Sequence, residues 1–288
     1  MVSVQKFIDK IDYSEYSNKE LLTIPLTMFG LAVVVILSYY LMFGSPVVLG
    51  IEFIGGSEVR VSGADSASAV SSAFSTTPSS IQSVPSDNSY IVQFREDTNV
   101  SQFSSEAEAA GLTVQSSSQI SPTFGSDSQM LTIYGLLFAF VSMGVLVYGL
   151  FRTSIPSIAV ISSAISDIIV PVAVMNLVGI ELTLGTVAAL LMLIGYSVDS
   201  DMLLNDYVVR RGGEFYDSVY EAMDTGITMT LTSLVAMWIM AISAYFLGVP
   251  LLRDIGFVIG VGLIVDLINT YLMNVSILRW YRFKAGGS

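Results

Sequence analysis

LTLGTVAALLMLIGYSVDSDMLLND, residues 182–206, decides how this chain is read. The stretch from Leu182 to Ile194 carries no charge at all. About 20 apolar residues, rising 1.5 Å each, cross the roughly 30 Å of hydrocarbon in a bilayer. Yet Asp199, Asp201 and Asp206 follow directly, with no Lys or Arg among them. A carboxylate at mid-membrane costs at least about 2.5–3.5 kcal/mol, so such residues normally face a bundle interior or a watery cavity. The stretch predicts one span of a helical bundle with a polar inside.

Composition agrees. The chain has 288 residues, of which 53% are hydrophobic and only 12% charged, and its mean hydropathy is +0.70. Soluble domains carry roughly a quarter charged residues. There is no Cys, which excludes disulfides and thiolate metal sites, and no His, which removes the usual zinc ligand and near-neutral proton carrier. The net charge of −12 with few Lys and many Ser suits a protein facing high salt, and an acidic exterior argues against nucleic acid.

Six stretches qualify as spans: 23–43, 130–151, 155–178, 182–204, 227–247 and 255–278. The first is too long and too late for a cleaved signal peptide. With a cytoplasmic N-terminus, nine basic residues (Lys6, Lys10, Lys19, Arg152, Arg210, Arg211, Arg279, Arg282 and Lys284) lie inside and three (Arg60, Arg95 and Arg253) outside. Both ends are then cytoplasmic: a segment 1–22 and a tail 279–288. Residues 130–278 form a five-helix membrane domain with a polar, amphipathic segment near 205–226 along the inner membrane surface.

Residues 44–129 differ, with nine Asp or Glu against two Arg and many Ser. EVRV, SIQSV, YIVQF and LTVQSSSQI read as strands, while DSASAVSSAF and VSQFSSEAEAAG have helical spacing. The order β-α-β-β-α-β is that of a ferredoxin-like unit. The fold class is therefore a multi-spanning α-helical membrane protein, with six transmembrane helices and a small α+β extracytoplasmic domain after the first.

Asp167, Asp199, Asp201 and Asp266 fall within the spans and form a candidate ion or proton pathway. The alternative is structural glue: Asp167 is flanked by Ser162, Ser163 and Ser166, and Asp266 precedes Asn269, Thr270 and Asn274 in a polar seam. Asp199 and Asp201 lie two apart, so on one helix they point in different directions. Asp206, Arg210 and Arg211 read as interfacial polar residues. HExxH, the Walker phosphate loop and GxSxG are all missing, and GYSVDSD is not the GxGD of intramembrane aspartyl proteases. No catalysis, cofactor or metal is called for.

GIEFIGGSEVRV (50–61), IGYSVDSDMLL (194–204) and GLIVDLINTYLMNVSILRWY (262–281), in this order and topology, resemble the SecD/SecF protein-export family on its SecF side, in its archaeal, halophilic form. The resemblance runs from about residue 20 to the end. The family usually has Asp at Glu52, Thr at Ile54, Arg at Tyr207 and His at Ser166. The resemblance implies a relative of the RND transporters in the cytoplasmic membrane, working with a SecD-like membrane subunit and the Sec translocation channel. It implies an ion (proton) gradient as the drive and a translocating polypeptide as the object, with membrane lipid around it. Gly50, Glu52, Phe53, Gly55 and Gly56 would be the hinge between membrane and outside domain. Half of an RND-type exporter of small molecules or lipids, or a passive membrane scaffold, remain the alternatives.

Overall fold

The computed structural model describes residues 12–95, 100–211 and 213–285. Lys6 and Lys10, placed inside by the charge reading, lie outside the described residues. Helix α1 spans Asn18–Phe43; Ser17 and Glu20 close a reciprocal capping box at its start, and Gly44, at φ 75°, ends it in the left-handed region. A one-turn helix α2 (Ile51–Ile54) leads into β1 (Gly56–Ser62), α3 (Ala67–Ser72), β2 (Ser80–Val84), β3 (Ser89–Phe94), α4 (Val100–Ala109) and β4 (Thr113–Ile120). The order read from the sequence appears, with sheet order β2-β3-β1-β4 and every neighbouring pair antiparallel.

Alternation explains the sheet's two faces. Val59 and Val61 of β1, with Val92 and Phe94 of β3, point one way and are buried against Val70, Phe74, Phe103 and Ala107. Phe94 and Phe103 stack at 3.8 Å. The opposite face, with Glu58, Gln82, Ile91 and Gln93, lines a polar crevice of about 360 Å³ whose other wall is Glu181, Thr183 and Pro250–Asp254. The sheet domain thus sits on the helix ends with its polar face toward them.

The membrane helices follow. They are α5 (Pro122–Phe151), α6 (Ser154–Val178), α7 (Leu184–Asn205) with a π-turn at Asp206–Arg210, and α8 (Phe215–Leu247). The last helix is composite: α9 (Pro250–Ile268), a π-turn (Asn269–Asn274), α10 (Val275–Trp280) and a π-turn to Ala285. Helices α1, α5, α6, α7 and α8 are long and apolar enough to cross a membrane by length and composition. The sixth span is expected here, but the composite helix is broken by its π-turns, carries Arg253, Asp254 and Asp266, and is not among those five.

Two boundaries differ from the hydropathy reading. Helix α5 starts at Pro122, where Ser121 caps it, eight residues before the apolar run. Helix α8 starts at Phe215, so the polar segment 205–226 becomes the π-turn and the first turns of α8. Phe215, Val219, Ala222 and Met223 are buried there against Tyr13, Leu204 and Tyr271. Its apolar stripe found the bundle.

Candidate functional site

A single stripe of α7 carries Ser197, Ser200, Asp201 and Asn205, all buried. Their spacing of three and four places them on one face. Asp199 falls off that stripe and is exposed. On the facing helices, α6 contributes Ser163 and Asp167, α9 contributes Asp266, and the π-turn contributes Asn269, Thr270 and Asn274; all six are at most 1% exposed. A π-turn inserts an extra residue into the helix, and such turns collect at functional sites.

The structure therefore joins Asp167, Asp201 and Asp266 and leaves Asp199 on the outer face of α7. Asp167 accepts from Ser197 Oγ at 2.5 Å, Asn269 Nδ2 at 2.6 Å and Ser163 Oγ at 3.2 Å. Asp201 Oδ1 accepts from Asn274 Nδ2 at 2.5 Å and Thr270 Oγ1 at 2.6 Å. Ser200 Oγ lies 2.9 Å from both oxygens of Asp266, and Thr270 Oγ1 lies 3.4 Å from Asp266 Oδ1. One threonine hydroxyl thus stands between two carboxyls. Asp201 Oδ2 and the amide oxygens of Asn205, Asn269 and Asn274 have no hydrogen-bond partner. No Lys or Arg pairs with the trio among the described residues; every ion pair lies elsewhere. The arrangement gathers three ionisable groups among buried hydroxyl and amide donors, so it can hold or release a proton.

Asp206 pairs with Arg210 at 3.6 Å and Arg211 at 3.1 Å, and Arg211 covers the Tyr207 ring at 3.6 Å. Exposed pairs of this kind contribute little to stability. Below the trio, Tyr13 is buried and donates to the backbone oxygen of Tyr271 at 3.0 Å. Burial raises its phenol above the ordinary range. Arg279 binds the backbone oxygen of Tyr13 at 2.9 Å and also reaches Asn18, strapping the N-terminal segment across the inner end.

At the end of the bundle next to the sheet domain, Gly50, Glu52, Phe53, Gly55 and Gly56 form a close-packed knot. Gly50 N–H donates to Leu182 O at 2.9 Å, and Leu182 N–H donates to Val48 O at 2.7 Å. The Glu52 carboxylate accepts from the backbone N–H of Leu184, the first residue of α7. Phe53 O accepts from Gln129 Nε2 at 2.6 Å, and a Cβ on Gly125 would meet the same oxygen at 2.6 Å. Gly55, at φ 80°, would bring a Cβ within 2.7 Å of Pro122 N, and Gly56, at φ 148°, is pressed onto Phe94 O. These glycines permit backbone to touch backbone.

The sequence pointed to Asp167, Asp199, Asp201 and Asp266 and to the seam Asn269, Thr270 and Asn274; of these, Asp199 lies apart from the rest. The sequence reading missed Ser197, Ser200, Asn205, Asn176 and Tyr13. The signal for the first three was present: a polar stripe at i, i+3, i+4 and i+8 inside an apolar run.

A family model described as protein export membrane protein SecD/SecF, C-terminal, matches residues 100–284. The chain belongs to the SecD/SecF family of protein-export membrane proteins. It is 52% identical over 283 residues to the protein-export membrane protein SecF of Haloquadratum walsbyi, covering 96% of this chain and 97% of that one. The corresponding protein of Haloferax volcanii is 49% identical over 282 residues, with 98% of each covered. Among solved structures, SecDF, a translocon-associated membrane protein from Thermus thermophilus, superposes with a TM-score of 0.72 at 19% identity. That match covers 96% of this chain and 39% of the SecDF chain, and at such identity the likeness is one of fold. These full-length relatives place the chain on the SecF side of the SecD/SecF family.

Proposed function

We propose that this SecD/SecF family member is the SecF-side subunit of a two-part accessory to the Sec channel in the cytoplasmic membrane. Its six helices, counting the composite one, carry both termini on the cytoplasmic side. The ferredoxin-like domain on the outer side meets the emerging polypeptide. A SecD-like subunit completes the pair, and Asp199, exposed on the outer stripe of α7, lies where such a partner or lipid would cover it.

One observation carries the mechanism: Asp167, Asp201 and Asp266 share a buried seam between α6, α7 and the composite helix, with no Lys or Arg paired to them among the described residues. Like charges repel strongly in a low-dielectric interior, and adding or removing a proton or cation changes that repulsion. The three helices then repack, and the outside domain moves. The drive is an ion gradient, with the proton as its first candidate.

The test is export in cells carrying Asp167→Asn or Asp201→Asn, together with co-purification from native membranes. We expect both variants to assemble with the SecD-like subunit and to slow export at least tenfold. Normal export in both would leave the carboxylates as structural glue. Recovery of a lipid-handling partner instead would favour the RND-type exporter.

A further inference from the structure

Two helices that carry buried carboxylates, α6 and α7, both end at the outer side on the same short piece of chain. Asn176, above Asp167 on α6, spends its whole side chain there. Its Nδ2 donates to Pro46 O at 2.9 Å and its Oδ1 accepts from Val48 N–H at 3.3 Å. It is 1% exposed. On α7, the N–H of Leu184 is taken by Glu52. Between these points Val48, Gly50 and Leu182 exchange backbone hydrogen bonds, and Arg95, just past β3, reaches Glu181 at 2.9 Å.

A helix transmits displacement along its axis because its backbone is stiff. At 1.5 Å per residue, Leu184 stands roughly 26 Å from Asp201, and Asn176 roughly 14 Å from Asp167. The carboxylate of Glu52 also meets the positive end of the α7 dipole, so its grip is charge-assisted. The covalent tie to α1 runs through Gly44, at φ 75°, and Tyr39 of α1 donates to the backbone oxygen of Asn176 at 2.6 Å, so α1 is held to α6 at the same level. The second footing of the domain, on the α8–α9 turn, rests on Ser86 Oγ to Leu247 O at 2.8 Å and Arg253 to Gln82 at 3.5 Å.

We infer that Glu52 and Asn176 are positioning residues that make the outside domain follow α7 and α6 when the buried carboxylates change state. The inference rests on the ion-coupled reading of Asp167 and Asp201 and adds the path by which that change leaves the membrane.

The chain has no cysteine, so a label pair needs no background removal. Spin labels at Ser117→Cys on β4 and Ser243→Cys on α8, both exposed positions, report the domain against α8 in the full complex in membranes. Asp201→Asn should shift the distance distribution. Adding Glu52→Ala should abolish that shift while the complex still co-purifies. Glu52→Gln, whose amide oxygen still accepts the Leu184 N–H, should retain it. Should Glu52→Ala fail to fold, Leu184→Pro removes the donor instead, since Pro is well tolerated at the first helical position. A shift that survives both Glu52→Ala and Leu184→Pro overturns the inference. So does an unshifted Asp201→Asn variant that has lost export, and there the ion-coupled reading stands. An Asp201→Asn variant with normal export overturns both.

Discussion

Asp167 in the bundle and Glu106 in the outside domain are held by nearly the same chemistry. Asp167 accepts from two serines and an asparagine. Glu106 accepts from the hydroxyl of Ser75 at 2.7 Å, its N–H at 3.0 Å and Gln102 Nε2 at 3.0 Å. One residue is fully buried and the other only half-buried, its carboxyl open to water. The difference lies in what replaces a lost partner. Around Glu106, water does. Around Asp167 nothing can, because each donor is itself closed off from solvent. Equal hydrogen-bond counts therefore conceal unequal importance, and substitutions should rank by burial.

The largest effect should come from Asp167→Leu. It strands the donors of Ser163, Ser197 and Asn269, and each buried unsatisfied group costs about 1–3 kcal/mol. We expect little monodisperse protein on size-exclusion chromatography. Asp167→Asn keeps an acceptor oxygen and should stay folded. If Asp167→Leu is as stable as the parent, the seam is wetter than its burial implies. A smaller step is Ser197→Ala, which removes one donor at 2.5 Å and should lower stability by about 1.5–3 kcal/mol. Ser75→Ala should stay within about 0.5 kcal/mol, as surface changes do. Thermal midpoints of the two variants in the same detergent would compare them directly; equal shifts would erase the contrast.

Much of this was legible in the sequence, for a reason that also limits it. Helices α5 and α6 are similarly apolar, yet α6 is mostly buried and α5 is almost wholly exposed on the chain. Lipid is as apolar as a leucine side chain, so hydropathy finds spans but cannot say which are central. Polar residues can. Ser163, Asp167 and Asn176 mark α6 as inner, whereas the middle of α5 carries Ser142 and no carboxyl or amide. The choice between Asp199 and Asp201 needed the stripe Ser197–Ser200–Asp201–Asn205, which is readable only once the helix is taken as unbroken through Asn205. The π-turn at Asn269–Asn274 left no comparable mark, because its residues suit an ordinary helix equally well. The start of α8 was masked by polar residues that alternate with the buried Phe215, Val219 and Met223.

The smallest effect concerns pH, and its sign is fixed by the direction of one shift. The Ser75 hydroxyl first, then Gln102 and the Ser75 N–H, hold Glu106 below its ordinary value of 4.5. A carboxyl whose folded pKa is depressed stabilises the fold above the unfolded value and loses that contribution as pH falls through the folded one. Protection of the Ser75 amide, followed by hydrogen exchange corrected for intrinsic rate, should therefore be flat from pH 7 down to about 4.5. It should fall only below that. Glu106→Gln should show lower protection with no pH step, because an amide cannot gain the proton. A step centred at 4.5 or above would mean that Ser75 and Gln102 do not favour the ionised carboxyl, and this half of the comparison would fail.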